Sequence, residues 1–106
     1  MTKHIIPRYK LMLFYDLRPE EKELYYQFVM TEMVPAVQNM GLYFFRVYHT
    51  LWGECPLRQA EFVAEDLATI HTVLESELWR TLESRLMEHA INYRRKIVRF
   101  RPGFQC

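Results

Sequence analysis

Between Tyr9 and Leu17 apolar residues fill both sets of alternating positions. Tyr9, Leu11, Leu13, Tyr15 and Leu17 point one way, Met12 and Phe14 the other. A strand apolar on both sides is one covered on both sides. Arg18-Pro19-Glu20-Glu21 then opens a helix: Pro suits the first turn, and the acids suit its positive end. Tyr26, Met30, Met33, Val37 and Met40 recur at helical spacing, and Asn39 to Gly41 supplies the stop. Pro35 lies inside this pattern and predicts a kink, or an end about a turn early.

The alternation returns over residues 42–52. Leu42, Phe44, Arg46, Tyr48, Thr50 and Trp52 share one face; Tyr43, Phe45, Val47, His49 and Leu51 share the other. Gly53-Glu54-Cys55-Pro56 reads as a turn, and Arg58 to Ala64 as the returning strand of a hairpin. Asp66 caps a second helix whose stripe is Leu67, Ile70, Leu74, Leu78, Leu82 and Leu86. The pattern runs to about Asn92, with a break near Ser76, a residue able to cap a new segment. Tyr93 to Arg101 is the last strand, ended by Pro102-Gly103.

Strand, helix, strand, strand, helix, strand is the split βαβ order. It predicts an α+β class, a ferredoxin-like βαββαβ fold, with a four-stranded antiparallel sheet and two helices on one face. Helices can hide only one side of that sheet. The apolar second side of strands one and two therefore predicts a homodimer through the helix-free sheet face, closing a dimeric α/β barrel. The whole chain, 1–106, reads as one such domain.

Composition changes this picture little. Seven Tyr, seven Phe and two Trp are more apolar bulk than one small core needs. Fourteen basic against thirteen acidic residues give a net charge of +1, and no field to attract nucleic acid or an anionic membrane. The basic run Arg94, Arg95, Lys96, Arg99 and Arg101 is interrupted by Ile97, Val98 and Phe100, so it reads as a strand with charged edges. Two distant cysteines, Cys55 and Cys106, without a signal peptide predict a reduced cytoplasmic compartment. No apolar run approaches the ~18 residues of a membrane helix.

The element order, the two-sided strands, the stretch Leu74-Glu75-Ser76-Glu77-Leu78-Trp79 and the ending Ile97-Val98-Arg99-Phe100-Arg101-Pro102-Gly103 carry a resemblance. The chain resembles the dimeric α/β-barrel superfamily, nearest to NIPSNAP-type and antibiotic-biosynthesis-monooxygenase-like domains. That superfamily includes cofactor-free oxygenases, haem-degrading enzymes, lactone isomerases and proteins of no known role. The resemblance implies a pocket between sheet and helices within each subunit. One position departs from the oxygenase-like pattern: where that pattern often has His, this chain has Val73, before Leu74.

Candidate chemistry is sparse. If the hairpin is centred on Cys55, His49 stands opposite Glu61. A carboxylate beside an imidazole orients the ring and raises its basicity, a general-base pattern; a cross-strand pair that satisfies itself is the alternative. Arg46, beside Tyr48 and in line with Trp52, could grip an anionic or aromatic ligand, joined by Tyr15 from the first strand. An ion pair at an interface is the alternative. Trp79 could roof a pocket between helix and sheet, or belong to the core. The histidines lack HxxH or HExxH spacing, which predicts no metal, and with three glycines there is no phosphate-cradling loop and no predicted cofactor. Three readings remain: a dimer binding a small apolar or aromatic ligand; a cofactor-independent monooxygenase or isomerase acting on an aromatic, quinol-like substrate; and a structural dimer with no ligand.

Overall fold

The computed structural model describes residues 5–49, 58–103 and 105, and of His49 the backbone alone. Trp52, Cys55 and Cys106 lie outside the described residues. The strands are β1 (Tyr9–Leu17), β2 (Tyr43–His49), β3 (Arg58–Ala64) and β4 (Ala90–Arg99). They form one antiparallel sheet in the order β2-β3-β1-β4. Between β1 and β2 run a short 3-10 turn (Pro19–Glu21), α1 (Lys22–Phe28), a π-helical turn (Val29–Met33) and α2 (Val34–Gln38). Between β3 and β4 run α3 (Leu67–Glu75) and α4 (Glu77–Met87).

Pro35 neither ends nor breaks the first helical segment. The π turn ahead of it lets the Val34 N–H reach back to the Val29 carbonyl, so the ladder is already widened where Pro35 has no N–H to give. The buried stripe is Tyr25, Phe28, Val29, Met33, Val34 and Val37. It starts one position earlier than the sequence spacing predicts, leaving Tyr26 64% and Met30 38% exposed.

The break at Ser76 forms as expected. Its hydroxyl accepts from the Trp79 N–H at 3.0 Å, and its backbone is extended, at φ −75°, ψ 150°. Asp66 caps α3 in the same way, accepting from the Thr69 N–H at 2.7 Å. The break also resets the helical phase. Ile70 and Val73 are buried before it, and Trp79, Leu82 and Leu86 after it; Leu78 is turned outward at 44% exposure. The second helical segment stops at Met87 rather than near Asn92, and β4 starts at Ala90. Asn92 takes a left-handed backbone, φ 56°, next to a register shift between β1 residues Phe14 and Asp16, and donates to the Asp16 carboxylate at 3.1 Å.

All the helices pack on one side of the sheet. Leu11, Leu13, Tyr15 and Leu17 of β1 and Ala60, Phe62 and Ala64 of β3 meet Tyr25, Phe28, Val37, Ile70, Trp79 and Leu86 in one apolar core. The other side differs from the apolar surface expected. Lys10, Gln59 and Glu61 stand there with Met12 and Phe14.

Candidate functional site

On the helix side, the open end of the core is built from aromatic and basic residues. Tyr15 of β1 and Tyr25 of α1 are both buried, with ring centroids 5.6 Å apart and their hydroxyls hydrogen-bonded to each other. Tyr93 of β4 lies behind Tyr15 at 6.4 Å and donates to Glu83 at 2.6 Å. The Arg58 guanidinium, at the start of β3, lies 5.6 Å from the Tyr25 ring centroid.

Two hollows meet at this corner. A cavity of about 120 Å³ lies between Tyr25, Tyr26, Val29 and Met30 of the helix and Phe44, Val47 and Arg58 of the sheet. A more open depression of about 450 Å³ shares Tyr25, Tyr26 and Arg58 with it and reaches Leu17, Lys22 and Glu23. The first is apolar and has room for at most one aromatic ring, since a cavity of ~150 Å³ takes one benzene.

Burial pushes the Tyr15 hydroxyl well above the usual phenol range, with Tyr25 adding to it. Burial also raises Tyr25, against the opposing pull of its bonds to Tyr15 and Arg58. Tyr93 is raised by burial first and then by the Glu83 carboxylate. These phenols are protonated acids at neutral pH. They can donate a hydrogen bond or a proton; they are not bases.

The helix-free side holds a second polar cluster. Glu61 is fully buried and accepts from Arg46 Nε at 3.0 Å, from Lys10 Nζ at 3.2 Å and from Gln59 Nε2 at 2.7 Å. Lys10 is 0% exposed, with its ammonium 5.7 Å from the Phe45 ring and 5.3 Å from the Phe100 ring. Arg46 also lies 4.4 Å from the Phe45 ring and 4.9 Å from the Tyr48 ring.

The expected residues are thus divided between two faces. Glu61 does not stand opposite His49: the register sets Arg46 against Glu61 and His49 against Arg58. An irregularity between Phe44 and Arg46 shifts the strand, so Phe44 pairs with Phe62 on the helix side while Arg46 joins the helix-free side. Tyr15 is at the helix-side corner, away from Arg46 and Tyr48. Trp79 is core, 1% exposed, and lines neither hollow of this corner. Trp52 lies outside the described residues. Tyr25 and Arg58 were missed; the available signal was that Tyr25, not Tyr26, continues into Phe28 and Val29 at helical spacing.

Sheet order and helix placement define a ferredoxin-like α+β fold. Solved structures of the superfamily that the sequence resembles share this fold. A NIPSNAP family protein from Agrobacterium tumefaciens is 16% identical, with a TM-score of 0.60 over 96% of this chain and 93% of that one. A protein from Deinococcus radiodurans, described as a putative antibiotic biosynthesis monooxygenase, is 12% identical, with a TM-score of 0.66 over 93% and 97%. A dimeric ferredoxin-like protein from an uncultured marine organism is 15% identical, with a TM-score of 0.62 over 95% and 94%. No protein-family model and no curated protein matches the chain.

Proposed function

We propose that this protein is a homodimeric binding protein for a small aromatic ligand carrying an oxygen or carboxylate group, held at the corner of Tyr25 and Arg58. The observation that carries this reading is that both hollows share those two residues and are otherwise largely apolar. An apolar chamber with a few convergent polar groups is the usual form of a small-molecule site. The Tyr15 and Tyr25 hydroxyls share one hydrogen bond in which either can donate; with Tyr15 as the donor, the Tyr25 proton is left for the ligand oxygen. The Arg58 guanidinium supplies the charge a carboxylate needs. The dimeric ferredoxin-like relative supports the homodimer.

The test is a titration of the labelled protein with benzoates, phenols and aliphatic acids of matched size, followed by amide NMR. Aromatic acids should shift the resonances of Tyr25, Val29 and Val47, and Arg58→Met should weaken their binding at least ~tenfold, as loss of a charged hydrogen bond does. A folded wild-type protein that binds none of them at millimolar concentration overturns the reading.

The register favours one enzymatic alternative. His49 is paired with Arg58, a residue of the corner. In that reading His49 is the base and Tyr25 the acid of an isomerase or oxygenase acting on the same ligand class. Turnover of a quinol-like substrate that survives His49→Ala unchanged removes it. Glu61 has no part in that reading, because Lys10, Arg46 and Gln59 already occupy both its oxygens.

A further inference from the structure

The centre of the helix-free face is covered without a second chain. Lys10, Met12, Phe14, Gln59 and Glu61 belong to it and are fully buried. Over β4 and β1 the seal is partly the side chain of Arg94, 4.4 Å from the Phe14 ring, and that of Lys96, at 5.6 Å. Over β1, β3 and β2 it is the segment that follows β4. Phe100 packs edge-on against Phe45 at 5.4 Å. The described residues beyond it, 101–103 and 105, lie across the sheet as a strap. Lys10 Nζ donates to the Arg101 carbonyl at 3.2 Å. Arg46 Nη2 donates to the carbonyls of Pro102 and Gly103 at 2.7 and 2.9 Å. Gln59 donates to the carbonyl of Gln105.

Every one of these donors is a side chain of the sheet, and every acceptor is strap main chain. The charges explain why. Lys10 and Arg46 bring two positive charges against the single Glu61 carboxylate. Lys10, the fully buried cation, takes the Arg101 carbonyl as a second acceptor, since a buried charge must be hydrogen-bonded, and Arg46, partly in solvent, adds the Pro102 and Gly103 carbonyls.

Two sheets packed face to face lie ~10 Å apart, with room for one layer of interdigitating side chains and none for a third main chain between them. The strap and a facing sheet therefore compete for one surface. We propose that the strap guards this face: two copies pair through it only when the strap lifts, and the strength of its hold sets the pairing equilibrium. This rests on the homodimer of the preceding section. A binding-competent state that is populated only in part lowers apparent affinity by that fraction, so the hold is read directly as a dissociation constant.

Gly103 allows the test without touching the sheet. Nothing lies within 4 Å of where its Cβ would be. Gly103→Asp places a carboxylate near Arg46 and tightens the strap; Gly103→Lys adds a like charge and loosens it. Dimer dissociation constants are measured by sedimentation velocity at low salt, alongside hydrogen exchange of the strap amides. Gly103→Lys should pair more tightly than wild type, and Gly103→Asp more weakly, with at least ~tenfold between the extremes. Strap exchange should rise in Gly103→Lys. Equal pairing in all three, with exchange altered, overturns the guard and leaves the dimer standing. The reverse order makes the strap part of the interface and also overturns it. No pairing in any of the three, with the strap of Gly103→Lys exchanging freely, sinks the guard and the dimer together.

Discussion

Arg46 Nε stands 3.0 Å from Glu61 Oε1 across the β2–β3 pair, with the carboxylate fully buried and the guanidinium partly in solvent. The same carboxylate neutralises Lys10 from β1. Removing one partner of a buried pair leaves the other uncompensated, and this costs more than the pair itself contributes. Glu61→Ala should therefore lower unfolding stability by about 3–5 kcal/mol in urea titrations. Replacing both charges, Lys10→Met with Glu61→Met, should leave the protein closer to wild type than Glu61→Ala alone, because Arg46 can turn to water.

Tyr15, Tyr25 and Tyr93 all carry hydroxyls raised above the ordinary phenol value of 10.0. In the unfolded chain these phenols lose their protons near that value, while in the fold they keep them. Above it the unfolded state binds fewer protons than the native state, so stability falls as pH rises. Below it their contribution is complete. Unfolding free energy should decline steadily above about pH 10. Tyr93→Phe should start lower at neutral pH, having lost its bond to Glu83, yet fall less steeply in alkali. Parallel alkaline slopes for the two proteins would count against a protonated Tyr93.

Gly41 closes the first helical segment with φ 95°, and its missing Cβ would lie 3.1 Å from the Thr69 methyl of α3. Two penalties therefore act on Gly41→Ala, one from the left-handed backbone and one from crowding. Together they should lower stability by about 1–3 kcal/mol. Adding Thr69→Ser removes the methyl and keeps the hydroxyl on Asp66, so it should restore only the crowding share. Gly41→Asn, which tolerates this backbone better, should lose less to the backbone strain. Thermal unfolding of the variants separates the terms.

Ser76 ends α3 and begins α4 at once: its backbone N–H bonds to the Val73 carbonyl at 3.1 Å, and its hydroxyl accepts from the Trp79 N–H. Ser76→Ala should cost about 1 kcal/mol, the usual loss of an N-cap, and Ser76→Asn should recover most of it. Because the capped group belongs to a core Trp, its fluorescence reports the change. A Ser76→Ala protein as stable as wild type would show that the phase reset is held by packing alone.

Much of this was legible along the chain. The bounds of β1 and β3, both caps at Asp66 and Ser76, and the order of elements followed from local pattern, because caps and alternation depend on residues a few positions apart. The burial stripes were less legible. Tyr26 and Leu78 fit a perfect 3.6 period, but the π turn before Pro35 and the break at Ser76 each shift the helical phase.

The candidate site was legible in composition and not in arrangement. His49, Glu61 and Arg46 were all singled out, but which of them meet depends on a hairpin register three residues from the one assumed and on the shift between Phe44 and Arg46. A slip of an odd number of residues moves every side chain to the other face of a sheet, and nothing local in Leu42 to Trp52 fixes it. The sequence by itself determined a two-layer βαββαβ chain rich in aromatic residues. Tertiary structure alone decided that Tyr25 and Arg58 form the corner, that Glu61 is locked among cations, and that Arg101, Pro102 and Gly103 lie over the helix-free face. Those contacts join residues far apart in sequence, 56 positions for Arg46 with Pro102 and 91 for Lys10 with Arg101, and only closure of the sheet brings them within reach.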